Sequence, residues 1–420
     1  MTQTKSVQKS RLVERSPLFY GWVIWAVATL GMSATSPGQS FSVSLFIDHY
    51  IADFGLSRTT ISGLYGVGTF LAALTLTWVG RQIDRRGNRR AGTVIAALFA
   101  VSLMACSLLA GPISILISFI AIRGLGQGAL GLNSSTAIAQ WFQARRGFVM
   151  GLSLVSFALF QRAYLPWLQN YIETHGWRQA WLLLGLVIGL VVMPLTWLLM
   201  RNRPEDFGLR PDGKSSDSKA GRLDLDASWT LSAAMRTPIF WVFIAGRALS
   251  SAWGTGLVFH QISLFEHLGH SSLVAAETFG YAALVTAGST LLTGWLIDRL
   301  RPNLVMVMQL TGLMFATGLA TLMAPELLLI AYAMAYGFFM GIGAVFDGTV
   351  WVTLYGRKHQ ATIRGFVATG LVIGTSIGPV AFGFAYDTLG SYNAVLWLGV
   401  VLAGVVAFLS FIVPLPRRKT

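Results

Sequence analysis

Four charged side chains stand deep inside long apolar runs, well away from either end: Arg123, Arg162, Arg247 and Asp347. A charge at mid-depth of a hydrocarbon layer costs several kcal/mol, so each of these residues implies a polar interior and is a candidate for binding or coupling. Arg123 shares a helical face with Gln127 and Ser134, at i+4 and i+11. A guanidinium so placed either holds backbone carbonyls of a neighbouring helix or takes part in binding. Arg162 follows Gln161 and has no local counter-ion; counting along its run places it roughly 21 Å deep, near the level expected for Arg123. The planar fork of a guanidinium matches two anionic oxygens, so two arginines at one level predict a carboxylate site. Arg247, with Ser251 and Gly254 on its face, and Asp347 have nearly coincident depths. They are expected to form an ion pair, either static or one that proton uptake on the carboxyl would open.

Weaker polar signals surround these four. His260 and Gln261 lie farther along the run that holds Arg247, and an ordinary histidine titrates near about pH 6.5, which makes His260 a second proton-sensitive point unless it is merely hydrated. Asp48 and His49 invite the same two readings. In the first apolar run, Ser33, Ser36, Ser40 and Ser44 recur at helical spacing around Pro37-Gly38, a break that turns backbone groups toward a cavity. Gln39 is the candidate substrate contact there, with a simple kink as the alternative. Two glycine patterns are set aside. Gly126-x-Gly128-x-x-Gly131 satisfies the dinucleotide expression but lies inside an apolar run with no strand before it. Gly208 to Ser215 matches a phosphate-binding loop but sits in a polar stretch without strand or helix, so ATP-driven chemistry is not expected.

The elements that must hold these residues follow from composition. Of 420 residues 54% are hydrophobic and 11% charged, where soluble proteins carry about 25% charged residues. Runs long enough to cross a bilayer recur at roughly 18–47, 58–79, 91–110, 113–141, 147–171, 179–200, 238–265, 273–297, 303–323, 326–354, 363–388 and 391–414. The fold class is therefore all-α integral membrane, with twelve transmembrane helices in two six-helix halves. The halves are 1–200 and 238–420, joined by a hydrophilic linker, 201–237. With both termini cytoplasmic, most of the 31 Lys and Arg residues fall inside while Arg58 and Arg178 fall outside, so the net charge of +14 orients the chain in the membrane and does not point to nucleic acid. The first run follows a basic tail and carries no small-residue cleavage site, so it reads as a span and not a signal peptide. The one cysteine, Cys106, excludes an intramolecular disulfide and offers no thiolate metal site; no metal or other cofactor is expected.

The two halves echo each other. Gly80-Arg-Gln-Ile-Asp84-Arg85 closes span two and Gly294-Trp-Leu-Ile-Asp298-Arg299 closes span eight, while Gly147-Phe-Val and Gly365-Phe-Val open spans five and eleven. Parallel repeats of this kind predict a solute site near the midplane between halves. The loop from Gly80 to Arg90 resembles the G-x-x-x-D-R-x-G-[RN]-R-R signature of the major facilitator superfamily of secondary transporters. Arg123-Gly-Leu-Gly126-Gln127-Gly128 is similar to that superfamily's span-four motif. Tyr20-Gly21-Trp22, Ser36-Pro37-Gly38-Gln39 and the linker from Arg203 to Gly213 look like its bacterial monocarboxylate and oxalate/formate branch. Two departures stand out: span eight has no arginine before Arg299, where that branch places a functional one within the span, and span eleven lacks a mid-helix lysine. The resemblance implies that Gly80, Asp84 and Arg85 form a latch that contacts a helix end in one access state.

The expected function is secondary transport by alternating access, proton-coupled, of a small organic anion, a mono- or dicarboxylate. Arg162, Gln161, Arg123, Gln127, Arg247, Gln39 and Ser251 are the substrate-binding candidates, and Asp347 and His260 the proton carriers. The expected partners are the anion, protons and the lipid bilayer of the inner or plasma membrane, with a monomeric chain. Export of amphipathic compounds, which 26 Phe and 14 Trp could line a pocket for, and a non-transporting sensor on the same fold are the competing readings. An enzyme is not expected, since no H-E-x-x-H or paired-cysteine motif occurs.

Overall fold

The computed structural model describes residues 10–14, 16–142, 145–213, 229–322, 326–355 and 360–416. It is all-helical, with no strand among the described residues. A chain crossing lipid must satisfy its backbone within each segment, and helices do so locally. Among the described residues ten helices are long and apolar enough to cross a membrane, from Arg58–Gly80 to Asn393–Ile412. The two other expected spans are also helical. Ser272–Leu296 is a 25-residue helix, and the first span is divided into Gly21–Ser33, a 3₁₀ turn at Ser36–Gly38, Ser40–Ser44 and Ile47–Phe54. Large apolar side chains such as Leu98, Trp295 and Phe384 remain exposed on the helices, as lipid-facing positions require.

The chain forms two compact units. Unit one comprises Met1–Val43, Leu71–Gln161 and Asn170–Lys219; unit two comprises Ser44–Phe70, Arg162–Gln169 and Ala220–Thr420. In unit one, Tyr20, Ile24 and Ala28 of the first helix pack on Ile138 and Trp141. The long helical run Arg58–Cys106 turns sharply at Gly87, which has φ 77°. Only glycine fits there, because its backbone is left-handed and a Cβ would lie 2.5 Å from the Asn202 side chain. That asparagine in turn accepts from the Arg89 amide at 3.1 Å.

In unit two, Gln360–Leu389 packs along Pro238–Phe259, and Ser272–Leu296 packs along Glu326–Tyr355. The first pairing is written in a step of four. Gly370, Gly374 and Gly378 lie against Ile244, Ala248 and Ala252, so small residues bring the two backbones close at every turn. Tight packing of this kind replaces the hydrophobic effect, which cannot drive helix association within lipid.

Candidate functional site

The break in the first span and an irregular fourth span build one polar locus in unit one. Pro37 lacks an amide proton and Gln39 is extended, at φ −89° and ψ 155°, so the helix cannot continue through them. The Ser42 amide bonds to the Gln39 carbonyl, leaving the Gly38 carbonyl outside the helical ladder. Arg123 supplies its donor: Nη1 lies 3.1 Å from the Gly38 oxygen and 3.5 Å from Ser40 Oγ. Arg123 opens a π-helical stretch, Arg123–Leu130, inserted between Pro112–Ile122 and Gly131–Trp141. Wider turns of this type concentrate at functional sites. Gln127 is exposed, Gln161 is buried, and Gln39 donates to Thr35 Oγ1 at 3.2 Å.

Unit two holds the other candidates. Arg247 grips Asp347 with two parallel bonds, Nε to Oδ1 at 2.8 Å and Nη2 to Oδ2 at 2.6 Å, the fork geometry that makes such pairs strong. Arg247 is buried, while the Asp347 side chain keeps 29% of its surface. Ser251, one turn along, faces Gln360–Leu389 instead. It donates to the Leu371 carbonyl at 2.8 Å and lies 2.6 Å from Thr375 Oγ1, which fixes two helices together. Arg162 donates to Tyr281 Oη at 3.0 Å and lies over that ring, 4.4 Å from its centre. Gly280 makes the approach possible, since a Cβ there would come within 2.7 Å of Arg162 Cα.

His260 sits in an aromatic cage of Phe259, Phe382 and Tyr392. Its Nε2 lies 2.8 Å from the Pro379 carbonyl, which can only accept, so the proton is assigned to Nε2. The same nitrogen lies 3.2 Å from Ser62 Oγ. The neighbouring Gln261 donates to the Ala275 carbonyl at 2.9 Å. Asp48 pairs with Arg58, whose guanidinium also covers the Tyr386 ring at 5.1 Å. Next to it, Asp387 Oδ2 accepts from the amide and hydroxyl of Thr59 at 2.9 and 2.6 Å, capping the first turn of Arg58–Cys106.

Of the latch candidates, Gly80 lies where an added Cβ would meet only Leu132, at 3.7 Å, and Arg85 is exposed; the Asp84 side chain lies outside the described residues. The same loop is anchored by two further positions of the motif, to which the latch reading gave no role. Asn88 donates to the Asn133 carbonyl at 2.9 Å, and Arg89 donates to the Trp197 carbonyl at 2.7 Å while covering its ring. Tyr281, Thr59 and Asp387 also went unremarked in the sequence. The available signals were Gly280 beside an aromatic residue and an acidic residue at the end of a span.

The profile of the Major Facilitator Superfamily matches residues 23–346. The chain belongs to this superfamily. It is 28% identical over 422 residues to monocarboxylate transporter 11 of Homo sapiens, covering 95% of this chain and 83% of that protein. It is 24% identical over 394 residues to a gallate transporter of Pseudomonas putida, covering 86% and 85%. Among solved structures, a bacterial homologue of the human lysosomal transporter Spinster, in an inward-facing and occupied conformation, superposes with a TM-score of 0.69 at 18% identity, covering 95% of this chain and 98% of that one. This last likeness carries the fold alone. The superfamily member is thus a multi-pass membrane protein of a transporter class, with relatives among carriers of organic anions.

Proposed function

We propose that this superfamily member is a proton-coupled symporter or exchanger for a small organic anion, a mono- or dicarboxylate. The observation that carries the reading is the environment of Arg162. A neutral phenol, Tyr281, holds the guanidinium without neutralising it, so its charge is kept for an anion. The relatives named for monocarboxylates and gallate support the same chemical class.

Arg162 binds the carboxylate, with Gln161, Arg123, Gln127, Gln39, Arg247 and Ser251 as the further binding candidates. Asp347 carries the proton: when it is neutral, the forked bonds to Arg247 lose their charge, and the balance between access states shifts. His260 is the second proton candidate, buried within hydrogen-bonding distance of Ser62. The halves 1–200 and 238–420 rock around the site, with Gly80, Asp84 and Arg85 latching one state. The chain works as a monomer in the inner or plasma membrane, with both termini cytoplasmic.

The test is uptake of a panel of mono- and dicarboxylates into proteoliposomes, with and without an inward acid gradient, for wild type and Arg162→Ala. Gradient-driven accumulation that Arg162→Ala abolishes is the expected result. No carboxylate uptake by demonstrably folded protein would sink the substrate class in favour of export of amphipathic compounds or a sensor role.

A further inference from the structure

Gln309 lies in the helix Pro302–Leu319 and is fully buried. Neither its Oε1 nor its Nε2 has a hydrogen-bond partner among the described residues. A buried amide in that condition is costly, and native structures rarely leave both ends unpaired unless a working state uses them. Its position points to that use. A Cβ on Gly343 would lie 2.6 Å from Gln309 Nε2 and 2.8 Å from Arg247 Nη1, so both groups converge on the space that glycine leaves empty. Nη1 is the nitrogen that takes no part in the fork to Asp347, which uses Nε and Nη2. Ser250, one turn before Gly254 on the helix of Arg247, adds a buried hydroxyl without a partner among the described residues.

We propose that Gln309 is the alternate partner of Arg247. When a proton adds to an Asp347 oxygen and the fork opens, the Gln309 amide, turned so that Oε1 faces the arginine, accepts from Nη1 and keeps the guanidinium satisfied inside the membrane. The two amide orientations are nearly equal in shape, so the turn needs no repacking. Gly343 is what makes the handover possible. The inference rests on the proposed opening of the Arg247–Asp347 pair, but it does not depend on which solute is carried. The helices around this point carry few other ionisable groups. Pro238–Phe259 contributes only Arg247, and Pro302–Leu319 contributes none. Ser272–Leu296 carries Glu277 and Tyr281, Glu326–Tyr355 carries Glu326 and three tyrosines besides Asp347, and Gln360–Leu389 carries Arg364, Tyr386 and Asp387.

The experiment is a mutant cycle read by thermal unfolding of the full chain purified in detergent, with no solute present. Asp347→Asn stands for the protonated carboxyl. Gln309→Leu in the wild-type background leaves the unfolding temperature unchanged or raises it, because it removes an unpaired amide. In the Asp347→Asn background the same change lowers it by about 3 °C or more, because Arg247 is then left with only the neutral amide oxygen at position 347. Gln309→Glu restores the stability of Asp347→Asn by offering Arg247 a carboxylate. An equal effect of Gln309→Leu in both backgrounds, or no rescue by Gln309→Glu, overturns the proposal. Failure of Asp347→Asn itself to give folded protein does so as well, since it shows that no second partner holds the arginine. Absence of carboxylate uptake would count against the substrate class without touching this result.

Discussion

A guanidinium in a membrane protein needs a partner that holds its geometry, and the partner's charge decides what else it can bind. Arg247 has a carboxylate and is neutralised; Arg162 has the phenol of Tyr281 and keeps its charge. Tyr281 contributes in two ways, through one hydrogen bond at 3.0 Å and through the ring face at 4.4 Å. An exposed cation–π contact is worth about 0.5–1 kcal/mol, comparable with a hydrogen bond partly shared with water. The two contributions separate by mutation. Tyr281→Phe keeps the ring and is expected to raise KM for the carboxylate about three-fold at unchanged maximal rate. Tyr281→Ala loses both and is expected to raise it about ten-fold. Concentration dependence of uptake in proteoliposomes measures this; equal effects of the two variants would remove the ring from the account.

At the scale of elements, the broken first span and the π-helical stretch of the fourth form one device. The Gly38 carbonyl released by the break meets Arg123, and Gly38 has no side chain because a Cβ would run into the Ile122 carbonyl and approach the Gln127 amide at 3.2 Å. Backbone cannot yield as a side chain can, so Gly38→Ala must push the segments apart. The expected cost is that of overpacking, about 1–3 kcal/mol, or roughly 5 °C in unfolding temperature. Gly131→Ala is the control, since its Cβ would meet only Thr35 Cγ2 at 3.8 Å and should leave the temperature unchanged or raise it. Thermal unfolding in detergent checks both. The break was legible in the sequence because Pro37-Gly38 is a local backbone signal. The π-helical turn was not, because a run of glycines reads equally as close packing. The same limit applied to partners. Arg247 and Asp347 could be matched by depth, since two lone charges in apolar runs have few other companions. Tyr281 and Gln309 could not, because an aromatic or an amide in a span has many ordinary uses, and only the missing Cβ atoms of Gly280 and Gly343 reveal what they approach.

For the molecule as a whole, alternating access requires contacts that exist in one state and are lost in another, since only a differential interaction shifts an equilibrium. Unit two offers a candidate for such a set, far from the Gly80–Arg90 loop in sequence. The segment Ser44–Phe70 is joined to the second half of the chain through Thr59 and Asp387, Arg58 and Tyr386, and Ser62 and His260. Under the proposed topology this end faces outward, and the set is expected to act as an outer lock. Asp387 accepts two of its hydrogen bonds, and removing them from an exposed site weakens the lock by about 1.4 kcal/mol, which is ten-fold in a two-state population. The readout is a cysteine placed beneath the lock. Ser62 is fully buried, and Ser62→Cys in a Cys106→Ala background is expected to react slowly with a membrane-impermeant maleimide added to intact cells. Adding Asp387→Ala is expected to speed that reaction about ten-fold. An unchanged rate would mean that the Thr59–Asp387 contact does not limit opening on this side, and labelling only in inverted vesicles would reverse the assigned orientation.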